Sequence, residues 1–182
     1  MKNFLVNKLV WFSQQKRTLW YKVVSTTLGA FLVAVLLPVL LIFLARPLER
    51  FFQIHWSINF SLIVAVVSIT FGLFFILWAI IAQYKIGRGS PAHNAPTQNL
   101  VIVGPYKLCR NPMKFGGMFW YFGVGTLAGS PITGIFCALA EFVLGTFYHK
   151  LIEEKELERR FGVSYLEYKK RVPFLIPWSK KL

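Results

Sequence analysis

Two stretches of this chain carry no charged residue, and each is long enough to cross a bilayer. Residues 23–45 read VVSTTLGAFLVAVLLPVLLIFLA, and residues 58–82 read INFSLIVAVVSITFGLFFILWAIIA. A helix of roughly 20 apolar residues spans the hydrocarbon core. No water is available there to bond backbone N–H and C=O groups, so a single uncharged stretch of this length must be helical. These two stretches therefore predict an all-α, polytopic membrane protein. Pro38 falls inside the first and predicts a kink there.

The remaining sequence fits that frame. Only 15% of the 182 residues are charged while 55% are hydrophobic. A soluble domain carries about a quarter charged residues. Residues 115–130 (FGGMFWYFGVGTLAGS) and 132–148 (ITGIFCALAEFVLGTFY) are apolar except for Glu141, and Gly129-Ser130-Pro131 lies between them. Their glycines suit closely approaching helices, so a tight helical hairpin is expected, with each half barely long enough to span. The expectation is about four transmembrane helices in one membrane domain over 1–182. Residues 1–22, which mix Trp11 and Phe12 with five cations, predict an amphipathic interfacial helix ahead of the two spans of 23–82. Residues 83–182 hold the chemically capable segments and the hairpin. The last apolar helix should run on through HKLIEEKELERRF, end at Gly162 as a C-cap, and give way to a basic tail.

The net charge is +14. With the N-terminus inside, 19 of the 21 Lys and Arg residues fall on inner segments. This asymmetry predicts cytoplasmic termini, and an inner-membrane location if the source is prokaryotic. Anionic lipid is the simpler partner for the charge than nucleic acid, which needs no long apolar runs. Cys109 and Cys137 show no metal-ligand spacing, so no protein-bound metal is expected. Among intramembrane groups, Glu141 is the exception to explain, as paired, protonated or functional.

Three polar features fall on the inner side. They are GRGSPAHNAP (87–96) leading to GPYKLCRNPMKFGG (104–117), the pair Glu153-Glu154, and FGVSYLEYKKRVPFLIP (161–177). GPYKLCRNPMKFGG resembles the GPY–Arg–His/Asn–Pro–Tyr–Gly signature of the isoprenylcysteine carboxyl methyltransferase and phospholipid methyltransferase family. EEKELERRFGVSYLEYKKRVPFLIP resembles the second half of that signature, and the two occur in the expected order. The resemblance covers about residues 85–178. It implies methyl transfer from S-adenosylmethionine, leaving S-adenosylhomocysteine, to a lipid or lipidated acceptor through a carboxyl or an amine. Carried residue by residue, it implies a cofactor site at Gly104, Tyr106, Arg110, Asn111, Pro112, Gly116, Glu153, Glu154 and Tyr168, with Tyr165 also in the motif. Arg110, Asn111 and Glu154 are the candidate catalytic residues.

The chemistry of these residues is compatible. A guanidinium binds the cofactor's carboxylate bidentately, which suits Arg110. Carboxylates suit its ammonium and ribose hydroxyls, and the Asn111 amide suits adenine. Two departures stand out. Asn111 stands where many members have His, and it cannot act as a base. Lys114 replaces a usual Tyr, adding a cation expected near the pocket mouth. Plainer readings remain for each feature: a solvated face for the acidic helix, with Glu156–Arg160 as an i,i+4 pair, and head-group anchoring for Arg110 and Lys114. Two other functions stay open at this point, an NADPH-dependent sterol or enone reductase of a related membrane fold and an inactive membrane adaptor.

Overall fold

Apolar runs of this length form helices because the helix is where the backbone satisfies itself. The computed structural model describes residues 7, 10–11, 18–52, 56–89 and 97–176, and no strand occurs among them. Among the described residues after Thr18, the α-helices are, in order, α1 (Leu19–Phe31), α2 (Leu37–Phe52), α3 (Ile58–Lys85), α4 (Pro112–Ala128), α5 (Pro131–Tyr148) and α6 (Glu154–Arg171). Thr18 caps α1, its hydroxyl accepting from the Tyr21 N–H at 3.3 Å. π-turns at Leu32–Leu36 and His149–Glu153 join α1 to α2 and α5 to α6. Much of the expected interfacial helix over 1–22 lies outside the described residues.

Among the described residues, three helical stretches are long and apolar enough to cross a membrane: Val23–Phe52, Ile58–Lys85 and Pro131–Arg171. Their surfaces are coated with exposed Leu, Ile, Val and Phe, such as Phe43, Ile63 and Phe147. A water-facing surface does not tolerate apolar area this continuous. The expected fourth span, α4, forms but has only 17 residues. At 1.5 Å per residue it reaches about 25 Å, short of a core about 30 Å thick.

The chain gathers into two compact units. The first holds Leu77–Pro112 with the chain before Ala30 and after Gly145; the second holds Ala30–Ile76 and Met113–Gly145.

The second unit shows how a broken helix survives in hydrocarbon. Leu37 N–H bonds to Leu32 O, an i→i+5 link that skips Val33 O. Pro38 has no N–H to give to Ala34 O. Two adjacent carbonyls are thus freed, and α4 satisfies both. Tyr121 donates its hydroxyl to Val33 O, and Trp120 Nε1 donates to Ala34 O at 3.0 Å. The kink expected at Pro38 is therefore a π-turn with its own partners. Glycines admit the other close contacts. A Cβ on Gly72 of α3 would lie 2.7 Å from Gly116 O, and one on Gly125 would lie 2.9 Å from Gly134 Cα across the α4–α5 hairpin. Phe71, Phe75, Phe115 and Phe119 then meet edge to face, with centroids 4.7 Å apart for Phe71 and Phe119.

Lys114 and Glu141 resolve two open questions together. The Lys114 side chain is 1% exposed, so it presents no free cation for a head group. Its Nζ donates to Glu141 Oε1 at 3.2 Å and to the Glu141 and Phe142 carbonyls at 3.1 and 3.2 Å. Room comes from Gly145, where a Cβ would stand 2.5 Å from Nζ. A Tyr could not neutralise Glu141; the Lys does.

Two outcomes follow for thermal unfolding in detergent. Trp120→Phe or Tyr121→Phe orphans a buried carbonyl, so each variant should lose about 1–2 kcal/mol. Glu141→Gln or Lys114→Met alone strands a buried charge and should cost about 3 kcal/mol, while the double change costs much less. Additive losses would contradict the pairing.

Candidate functional site

The sequence motifs converge in the first unit. Gly104 opens the motif at φ +61, a conformation other residues avoid, and a Cβ there would meet Trp78 Nε1 at 3.3 Å. The turn Gly104–Lys107 then buries Pro105 and Tyr106. Gln83 Nε2 donates to the Tyr106 hydroxyl at 2.6 Å, and the Tyr168 hydroxyl donates to Tyr106 O at 2.7 Å. Burial, and next the Glu153 carboxylate, push the Tyr106 phenol above its usual range, so it stays protonated. Burial likewise pushes the Cys109 thiol up to about 11, which leaves it a neutral packing group near neutral pH.

Arg110 is the centre of the cluster. Its Nη1 donates to Glu154 Oε1 at 2.5 Å, across 44 residues of sequence, and lies 3.5 Å from the Tyr165 hydroxyl. The side chains of Arg110 and Glu154 are 10% and 11% exposed. The other Glu154 oxygen accepts from Lys169 Nζ at 2.7 Å, and Lys169 also reaches Glu158 at 2.8 Å. Glu154 is thus a bridge between two cations. It does not pair with Lys150, a partner within reach along the helix. The Glu156–Arg160 pair forms at 2.7 Å as its spacing predicts.

The segment after α6 closes one side. Arg110 N–H donates to Pro173 O at 2.9 Å, and Arg110 Nε to Val172 O at 3.1 Å. Asn111 Nδ2 donates to Phe174 O at 2.9 Å. One N–H of the Asn111 amide is therefore engaged by the backbone, which leaves its second N–H and Oδ1. The Phe174 ring lies 5.7 Å from the Arg110 guanidinium and 5.2 Å from Lys150 Nζ. With Nε and Nη1 engaged, Nη2 of Arg110 still offers both its N–H groups.

Gly162 interrupts the helix where its end was expected, and a further helical stretch follows that was not expected. At φ 53 and ψ −128 it breaks α6, but the chain resumes as helix to Arg171. This bend brings Tyr165, Tyr168 and Lys169 to Glu154 and Tyr106. His149, the imidazole nearest the acidic pair, is already bonded through Nδ1 to Glu153.

Eight of the nine expected cofactor residues (Gly104, Tyr106, Arg110, Asn111, Pro112, Glu153, Glu154 and Tyr168) thus fall in the first unit. Pro112 starts α4 and is fully buried. Gly116 belongs to the second unit, where it packs against Gly72 O and Phe75. Sequence reasoning missed Lys169, the Val172–Phe174 carbonyls and Gln83. The only signal for Gln83 was its place as the first amide after an uncharged run.

A family model for phospholipid methyltransferase matches residues 60–164, more than half of the chain. The protein-S-isoprenylcysteine O-methyltransferase of Mus musculus is 35% identical over 91 residues, 49% of this chain and 31% of that relative. The Homo sapiens counterpart is 37% identical over 86 residues, 46% of this chain and 29% of the relative. Protein-S-isoprenylcysteine O-methyltransferase B of Arabidopsis thaliana is 35% identical over 81 residues, 43% and 40% of the two chains. The chain therefore spans between about a third and two fifths of the length of these curated relatives. No solved structure matches it. With its matched span running from α3 through the acidic helix that carries Glu154, the chain belongs to the phospholipid methyltransferase family.

Proposed function

We propose that this chain is a membrane methyltransferase that takes its methyl group from S-adenosylmethionine and delivers it to a carboxylate on a lipidated amphiphile. The observation that carries the reading is the Arg110–Glu154 contact, which joins the two separated halves of the family motif at 2.5 Å. When bound, the cofactor supplies an electrophilic methyl on a sulfonium. The residues present fit such a group: a cation with spare donors, a partly exposed carboxylate at Glu153, and the buried Gln83 Oε1 with no hydrogen-bond partner.

Each residue then takes a distinct role. Arg110 Nη2 holds the cofactor's carboxylate. Glu154 does not touch the cofactor; it positions the guanidinium and offsets its charge together with Lys169. Glu153 offers its carboxylate to the ammonium or a ribose hydroxyl. Asn111 and the Arg110 backbone fasten the Val172–Phe174 segment as a wall. Transfer is an in-line displacement, so positioning supplies most of the rate.

A carboxyl acceptor asks less of the site. An amine must first lose a proton, and the groups at hand to take it are a carboxylate or His149, which is bonded through Nδ1 to Glu153. A carboxylate is deprotonated near neutral pH and needs none. The relatives' names specify O-methylation of isoprenylcysteine, which accords with a carboxyl acceptor. Both termini face the cytoplasm in this reading, on the strength of the cation asymmetry.

Purified protein in lipid nanodiscs, given methyl-labelled cofactor, should label S-farnesylcysteine as a base-labile ester. Label on phosphatidylethanolamine instead would replace the carboxyl acceptor with an amine. Failure of the folded protein to bind S-adenosylhomocysteine would remove the cofactor. Arg110→Ala should lower catalytic efficiency by about 100-fold, and Glu154→Gln by about tenfold, through lost positioning. A C-terminal tag should be reachable only after the inner face is exposed; labelling in intact cells would reverse the topology.

A further inference from the structure

Gln83 stands two residues before the end of α3, and its amide is half used. Nε2 donates to the Tyr106 hydroxyl, while Oε1 is buried with no hydrogen-bond partner. A buried polar atom left unmet costs about 1–3 kcal/mol, so proteins seldom keep one without a use. The point holds for either rotation of the amide. If the two atoms exchange, Tyr106 donates to Oε1 and the buried Nε2 is the one left over.

The surroundings select the ligand group. The charged parts of the methyl donor match Arg110 and Glu153, and neither suits a neutral amide. Tyr106 is the direct partner of Gln83, and Trp78, on the same helix, packs over the Gly104 turn that carries Tyr106. A neutral amide atom beside a buried phenol suits a flat, uncharged ring whose edge bears a donor beside an acceptor. The adenine edge, with N6–H next to N1, is such a group and serves either rotation of the amide. Asn111, the other amide of the motif region, is tied to Phe174 O.

We infer that Gln83 reads the adenine edge of the methyl donor, as a specificity residue that lies outside the paired motifs. This rests on the S-adenosylmethionine reading proposed above. It makes base identity, and not affinity alone, the property to measure.

Calorimetry on the full chain in detergent would compare S-adenosylhomocysteine with its 1-deazapurine analogue, whose edge carries neither the 6-amino group nor N1. The wild type should prefer the adenine compound by about tenfold, the worth of one hydrogen bond to a buried group. Gln83→Leu should bind the adenine compound about tenfold more weakly and lose the preference, with affinity for the 1-deazapurine compound little changed. A folded Gln83→Leu that keeps the preference would overturn the assignment. So would a wild type that binds both compounds equally, a result that needs no variant. A wild type that binds neither would overturn the methyl-donor reading itself, and this inference with it.

Discussion

Hydrocarbon offers a polar group nothing to bond to, and much of the second unit is arranged around that fact. Several of its polar atoms find their partners on other helices. The two carbonyls freed near Pro38 are met by Trp120 and Tyr121. The Lys114 ammonium is met by Glu141 and two carbonyls. The Thr133 hydroxyl donates to Glu49 at 2.5 Å. Each pairing joins residues far apart in sequence, so it also fixes which helices lie side by side. Since apolar side chains gain little by leaving lipid for one another, such pairings and close glycine contacts carry much of the specificity.

The first unit answers the same constraint differently. It holds the loops and the polar helix, and there charges are balanced in chains. Arg110, Glu154, Lys169 and Glu158 alternate in sign. A chain of this kind holds a guanidinium still while leaving part of it free. Arg110 spends three donors on Glu154 and the Val172–Phe174 wall and keeps Nη2. Rigidity and availability in the same side chain are what a binding arginine requires.

The fold class was legible because it depends on runs of one residue type. Residues 23–45 and 58–82 needed only the absence of charge, and the hairpin needed only glycines around a Gly-Ser-Pro turn. The pairing of Arg110 with Glu154 was legible only as two motifs expected to meet, without a distance. What stayed hidden depended on three-dimensional accidents of spacing. Lys114 read as a surface cation because its partner lies 27 residues on, in an otherwise apolar run. Nothing local shows that Phe174 O, 63 residues away, takes one N–H of Asn111. Gln83 looked like the polar end of a span, and its unmet oxygen has no counterpart in any linear pattern.

The bend at Gly162 carries a consequence for how the chain tolerates change. Glu154 and Lys169 are 15 positions apart and meet at 2.7 Å. An unbroken helix would separate them by about 22 Å. The meeting therefore depends on two arms of fixed length folding at one glycine, like a caliper set to a single opening. Adding or removing one residue in either arm turns the arm's tip by about 100° around its axis. The stretch between the acidic pair and the final basic cluster should thus drift freely in sequence while its length stays constant. In distant members of the family, that spacing should identify the segment better than its residues do.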